Sequence, residues 1–362
     1  MKRLWRDRGG RWALLSLLAL SLTALGADLL ASDLPLAVRV DGTTWWLPCL
    51  TKPAALRGRS QISLAPTAEW MWRTPIHFGP LQTIAATGED RATPLPWAPD
   101  GTHWLGTDEL GRDVAARLVH GARVSLLVGF LTVLIAVGIG LLIGGVSGYA
   151  GGATDAVLSR LLEVMQTFPL VFFLIALLSV LRTQSLWPLV LALGLTRWTE
   201  VARLVRAEVL SLESREFVLA ARALGASPAR IIVRHLLPNA IGPVLVVATF
   251  GVGSAILLET ALSFLGIGVA PPTASWGELL TEAHRTLHHP GAWWLAVFPG
   301  LAIALTVLSV NALGEAVRRS TFPATPRRDF AAMALEKAVA ETGPTPHRGW
   351  RRISDRAWMG LS

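Results

Sequence analysis

A single cysteine, Cys49, stands in 362 residues, which excludes an internal disulfide and any zinc site built from several thiolates. Lysine is nearly as rare. Lys2, Lys52 and Lys337 are the whole set, and none sits in a G-x-x-x-x-G-K-[ST] loop, so no P-loop for ATP phosphates is encoded. Charged residues of both signs make up 16% of the chain, against roughly a quarter in soluble domains. No H-E-x-x-H, G-x-S-x-G or Ser-His-Asp order is found, which leaves intramembrane proteolysis and lipid hydrolysis without a catalytic group. What is present is apolar: 52% of residues are hydrophobic and the mean hydropathy is +0.48. Membrane burial accounts for that composition. The net charge of +8 does not argue for nucleic acid, because the basic residues sit at the ends of apolar runs, as membrane topology requires.

Six candidate spans follow from the runs. Lys2, Arg3, Arg6, Arg8 and Arg11 face Asp7 alone before the uncharged stretch Trp12–Ala27, the pattern of a first span with its N-terminus inside. A cleaved signal peptide is the competing reading, through the small residues Ala24, Gly26 and Ala27, but the run is longer than a usual h-region. Val124–Thr154 carries no charge and makes the second span. Gly140, Gly144 and Gly148 recur at intervals of four in it, a smooth ridge for close helix packing. Val164–Leu181 is the third, with Pro169 as a tolerated kink. Thr183–Thr196 is too short to cross at ~1.5 Å per residue, so the fourth continues through Arg197, Glu200, Arg203 and Arg206 toward the cytoplasm. Leu236–Leu258 and Pro290–Gly314 are the fifth and sixth.

Charge then orients the chain. Residues 31–121 hold eight basic and nine acidic side chains, no positive excess, which fits the outer side. Trp45, Trp46, Trp70, Trp72, Trp97 and Trp104 in this Pro-rich loop read as interface anchors, partner contacts or the packing of a small external subdomain. The basic excess lies at the N-terminus, in the 200–238 segment and in the tail 321–362. Four regions result: 1–30, the N-terminus and first span; 31–121, the external loop; 122–320, a five-helix core; and 321–362, the tail. Both ends and the 216–238 loop are expected in the cytoplasm.

That loop, EFVLAARALGASPARIIVRHLLPN from Glu216 to Asn239, reads as two helices hinged at one point. Phe217, Ala220, Ala221 and Leu224 share one face by spacing. Gly225 suits a helix C′ position with positive φ. Ser227-Pro228 restarts the chain as N-cap and N1, and Pro238 ends or kinks the second helix. A short basic segment with an apolar stripe and no catalytic group is suited to being gripped by another protein.

Its spacing is similar to the EAA loop of ATP-binding-cassette (ABC) importer permeases, through Ala220, Ala221, Gly225, His235 and Leu237-Pro238. Leu219 stands where the family has Glu, and His235 where it has Ile. LGTDELGRDV (105–114), YAGG (149–152), ARLVR (202–206) and LSFLGIGV with PPTASWG (262–277) resemble the second permease subunit of dipeptide, oligopeptide and nickel importers. The stretch ASDLPLAVRVDGTTWWLP (31–48) is similar to the subclass associated with microcin C uptake. The resemblance implies an all-α, polytopic type I ABC importer permease fold with six transmembrane helices in the inner membrane. It also implies a homologous permease, two ABC ATPase subunits carrying ATP and Mg, and a periplasmic solute-binding protein as partners. Ala220 and Ala221 would be the small contact face on the ATPase, Gly225 the turn, and Glu216, Arg222 and Arg230 rim charges. No cofactor or catalytic residue is expected on this chain.

Three further groups invite sites. Asp108, Glu109 and Asp113 lack the alternating oxygens of a calcium loop; Asp108 as a helix cap and 112–123 as an amphipathic lead-in are expected instead. His284 and His288 stand four apart without a third ligand, so no metal is expected. Glu259, at the end of an apolar run, is a candidate for the transport pathway, or else lies paired at the outer water boundary. Two other function classes compete with the permease. A secondary transporter would show paired intramembrane acids or internal repeats, and a membrane receptor would bind its ligand through 31–121 and tolerate loss of 216–238.

Overall fold

The computed structural model describes residues 8–84, 94–181, 185–286 and 291–321. The residues before Arg8, His288 and the tail from Phe322 on lie outside them. In chain order the elements are α1 (Arg8–Leu25), α2 (Ala27–Leu30), β1 (Ala37–Val40), β2 (Thr43–Trp46), α3 (Pro48–Thr51), α4 (Gln61–Leu64) and β3 (Ala68–Trp72). Then follow α5 (Val114–Ala150), α6 (Gly152–Thr167), α7 (Leu170–Leu181), α8 (Leu186–Glu213), α9 (Glu216–Ala223) and α10 (Pro228–Ile231). A π-turn (Ile232–Leu236) leads into α11 (Leu237–Phe264), and α12 (Trp276–Arg285) and α13 (Trp294–Thr321) complete the described chain.

The fold is predominantly helical, as expected, with one addition. Residues 37–72 contain a three-stranded antiparallel sheet in the order β2-β1-β3, which gives strands to the external region that was expected as a Trp- and Pro-rich loop or a small packed subdomain. Alternation explains it: Val38 and Val40 of β1 point to a small core with Leu34, Leu56 and Leu64, while Trp46 and Trp72, both paired with Ala37, stand on the opposite face. These two rings and Trp70 gather there with centroids 6.0 to 6.4 Å apart.

By length and composition, three described helical runs suffice to cross a membrane: α5, Pro228–Phe264 and α13; the pair α6–α7 raises this to as many as four. The other two expected spans fall on α1, only 18 residues long, and on α8, interrupted by charges. The third expected span also differs in shape. It breaks at Phe168-Pro169, and α6 meets α7 at 84°. Proline removes one amide donor and disfavours the helical conformation of its predecessor, and Phe168 is extended at φ −81°, ψ 128°.

The core of the bundle is the parallel pair α5–α8. A Cβ on Gly140 or Gly144 would come closer than 3.0 Å to Val201, the Ala202 carbonyl or Val205, and one on Gly148 equally close to the Arg206 carbonyl and Val209. Only hydrogen at those positions permits the approach. Around this pair α11, α12 and α13 bury Val252, Ile256, Trp276 and Ile303 in one continuous apolar cluster with Leu126.

Candidate functional site

The hinge at 216–238 begins with α9, whose C-terminus is closed by two backbone bonds. Gly225 N–H donates to the Arg222 carbonyl at 3.0 Å and Ala226 N–H to the Ala221 carbonyl at 3.1 Å. This paired closure satisfies carbonyls that a helix end would leave orphaned. It requires Gly225 at φ +77°, where a side chain would be strained. Ser227 Oγ then accepts the Arg230 N–H at 3.4 Å, with Pro228 in the first turn of α10.

Pro238 does not end the second helix. The Leu237 N–H reaches back five residues to the Ile232 carbonyl, and the chain continues through α11. A proline has no N–H for the carbonyl four residues earlier, and widening one turn accommodates that loss. Asn239 Nδ2 donates to the His235 carbonyl at 2.6 Å and closes the turn from the side.

The expected apolar face divides in two. Val218 and Ala221 are buried with Val205, Val209, Ile231 and Leu236, so Ala221 is turned into the chain's own core and is not available as a contact surface. Ala220 is exposed beside Phe217, Leu219 and Val233, and Leu224 is 89% exposed. Glu216 is exposed in the first turn of α9, the favourable end of the helix dipole for an acid. Arg222 is not a free rim charge. It donates to Glu213 at 3.0 Å and its guanidinium carbon lies 5.4 Å from the Tyr149 ring centroid, which ties α9 to the ends of α8 and α5. At the same end Arg206 holds Asp155 with two bonds of 2.5 and 2.6 Å. His235 is half-buried in the π-turn.

At the opposite end of α5 lies a buried ion cluster absent from the expectations. Asp108 does not cap a helix. It accepts the Leu110 and Arg112 backbone N–H groups and pairs with Arg112 Nε at 2.7 Å, while Asp113 caps α5 through the Ala116 N–H at 2.7 Å. Arg117, 1% exposed, donates to Asp108, to Glu282 and, at 2.5 Å, to Glu278. Arg112 donates to Glu282 at 2.7 Å. Asp108, Glu278 and Glu282 are thus held by arginines, and 112–117 is a buried lock on α12, while half-buried His120 and Arg123 reach the Ala31 carbonyl and Asp28. Glu278 and Glu282 stand four apart, on one helix face; that spacing, read against Arg112 and Arg117, was the available signal. His284 rests on the Phe264 ring at 4.9 Å.

Glu259 is fully buried. Its Oε1 accepts from Ser263 Oγ at 2.8 Å and from Ser275 Oγ at 2.9 Å. Ser275 also caps α12 by accepting the Glu278 N–H at 3.0 Å. Glu259 therefore pins α12 to α11.

Residues 136–323 match the family model described as binding-protein-dependent transport system inner membrane component. A protein of Brucella suis named as a peptide permease is 43% identical over 226 residues, 62% of this chain and 74% of its own length. The dipeptide transport system permease protein DppC of Bacillus subtilis is 42% identical over 246 residues, 68% of this chain and 76% of its own. Inward-facing structures of the MetNI methionine ABC transporter include a chain 17% identical, with TM-score 0.45, matching 57% of this chain and 96% of that one. The chain belongs to the family of inner membrane components of binding-protein-dependent transport systems.

Proposed function

We propose that this chain is one of two homologous permeases in an ATP-driven importer of peptides or peptide-like compounds. It crosses the inner membrane six times with both ends in the cytoplasm, and it receives cargo from a periplasmic solute-binding protein. ATP and Mg are held by two ATPase subunits, and this chain contributes no catalytic group. The peptide assignment is supported by the names of the relatives, and the mechanical assignment by the hinge. A transporter of this kind needs two bundle states that bind a motor differently, because a partner shifts an equilibrium only by its differential affinity.

The single observation carrying the coupling role is the apolar surface left bare on a rigidly closed hinge: Leu224, Phe217 and Val233 are exposed while Ala221 and Val218 anchor the segment from behind. Leu224, Ala220 and Phe217 are the docking face, Gly225 the turn, and Glu216 and Arg230 the polar rim. Arg222, held by Glu213 and Tyr149, transmits motion of α9 to α8 and α5. The docking role of His235 and Pro238 is to shape the π-turn through which α10 drives α11.

Gly225→Pro tests this. Proline is fixed near φ −65°, whereas Gly225 sits at +77°, and the substitution also deletes the N–H bonded to Arg222. Substrate-stimulated ATP hydrolysis by the assembled importer is expected to fall to its basal rate, with membrane insertion of the chain unchanged. Full stimulation in the variant would overturn the coupling role.

A further inference from the structure

The small sheet of 37–72 is tied to the bundle at one end only. Arg123 donates to Asp28 at 2.9 Å and to the Ala24 and Leu25 carbonyls. This ion pair closes the uncharged runs 12–27 and 124–154 at one level, which marks the edge of the hydrocarbon. Just beyond it the Ile76 N–H donates to the Leu30 carbonyl at 2.9 Å, His120 reaches the Ala31 carbonyl at 2.8 Å, and α3 packs on α2. Strand β1 leaves this rim at Ala37. The Asp41-Gly42 turn lies at its other end, about 10 Å farther along the strand.

Composition changes over that short distance. At the rim end Trp46 and Trp72 flank Ala37 and are 63% and 65% exposed, and Leu47 and Leu50 in the turn that follows β2 are exposed as well. The exposed charges next to them, Lys52 and Arg73, are basic, and neither has an acidic partner among the described residues. At the hairpin end the exposed side chains are Asp41, Thr43, Thr44 and Glu69, and Glu69 is held by Arg39 at 3.1 Å. Bare rings and free cations gather at the rim, and acids at the far end.

This gradient selects the occupant. A protein arriving from the water meets the polar hairpin end first, whereas a bilayer meets the rim. Tryptophan joins an apolar ring to one N–H donor and is favoured at headgroup level, and cations beside it suit an anionic lipid surface. Buried Trp276 and Trp294 donate their indole N–H groups to the Leu118 and Thr107 carbonyls. Those of Trp46 and Trp72 have no acceptor among the described residues. The exposed row Leu18, Leu22, Leu25 and Leu29 climbs α1 and α2 to the same rim, so the two apolar surfaces are continuous in depth.

We propose that the rim end of the sheet rests in the headgroup layer of the bilayer and binds anionic phospholipid. Trp46, Trp72, Leu47 and Leu50 lie among the glycerol and upper acyl groups, and Lys52 and Arg73 pair with headgroup phosphates. The headgroup layer is hydrated, so a thiol placed there still meets water-soluble reagents.

The test uses the full chain with Cys49→Ser, reconstituted in vesicles of phosphatidylcholine and phosphatidylglycerol. A nitrobenzoxadiazole label is attached at Trp46→Cys or, at the hairpin end, at Thr43→Cys, and is quenched by lipids with a shallow doxyl group. Lipid quenching is expected to be several-fold greater at Trp46→Cys than at Thr43→Cys, and quenching by aqueous iodide to show the reverse order. A cation near an anionic surface favours contact about fivefold. Doxyl-phosphatidylglycerol is therefore expected to quench Trp46→Cys several-fold better than doxyl-phosphatidylcholine. Adding Lys52→Gln and Arg73→Gln, both at exposed positions, is expected to bring the two lipids level and to leave the order of the two labels unchanged. Equal lipid quenching at the two labels would lift the sheet off the bilayer and overturn the proposal. A preference for phosphatidylglycerol that survives the two Gln substitutions would overturn the headgroup pairing. Loss of lipid quenching at Trp46→Cys on assembly with the other importer subunits would give the face to a protein and overturn the proposal too.

Discussion

Arg117 concentrates more of the structure than any other side chain described. One guanidinium, 1% exposed, is shared by Asp108 from the segment before α5 and by Glu278 and Glu282 from α12. Breaking a buried ionic set by removing one partner leaves charge without compensation, at a cost of ~3–5 kcal/mol. Arg117→Ala is therefore expected to lower the thermal midpoint of the purified importer in detergent by several degrees. Arg117→Lys should recover only part of this, because an ammonium cannot bridge three carboxylates with a planar fork. An unchanged midpoint in Arg117→Ala would show that the cluster does not stabilise the fold. Single residues were read unevenly from the sequence. Gly225 and Ser227-Pro228 were legible because their backbone chemistry is local. Asp108 was misread as a cap, since its arginine and glutamate partners come together only when α5 meets α12, more than 160 positions apart for Arg117 and Glu278. The partner of Glu259 was illegible for the same reason: Ser275 reaches it from the next element.

At the scale of elements, periodicity succeeded where one face of a helix decides the packing. The four-residue recurrence of Gly140, Gly144 and Gly148 marks the seam, and α8 lies along it with Val201, Val205 and Val209 facing the three glycines. Crowding such a seam costs typically ~1–3 kcal/mol per overpacked side chain, occasionally more. Gly144→Leu is expected to reduce the yield of folded, assembled importer several-fold, read by size-exclusion chromatography. Gly138→Leu, on the same helix with nothing within 4 Å of its Cβ direction, should leave the yield near wild type. Equal yields for the two variants would separate the ridge from the helix interface. At the prolines the pattern placed the bend at Pro169 but not its extent. Pro169 breaks its helix and Pro238 does not, although both stand within apolar runs. The difference lies in the neighbouring turns: Phe168 goes extended, whereas the residues before Pro238 widen into a π-turn closed by Asn239. The strands of 37–72 were missed because each is only four or five residues long, too short for alternation to stand out from a Trp- and Pro-rich loop.

For the whole molecule, the arrangement turns on which end of the bundle faces the cytoplasm. Helices α5 and α8 run parallel, so the Tyr149–Arg222–Glu213 contact and the Asp155–Arg206 pair mark one end, and the Arg117 cluster with the small sheet marks the other. Positive charge accumulates at the first end, the arrangement expected of a cytoplasmic face. Cysteine chemistry tests this directly. Cys49 is fully buried, and burial pushes its thiol above the usual value, so it reacts slowly as background; a Cys49→Ser parent removes it altogether. In that parent, Leu224→Cys is expected to react with a membrane-impermeant maleimide only after the membrane is opened, and Trp72→Cys to react in intact spheroplasts. Both positions are highly exposed on this chain, so when it is expressed without the ATPase subunits burial cannot mimic sidedness. Labelling of Leu224→Cys from outside would invert the bundle and place the hinge away from any ATPase, and labelling of both positions from one side would contradict the odd number of crossings, by α5, α6–α7 and α8, expected between them.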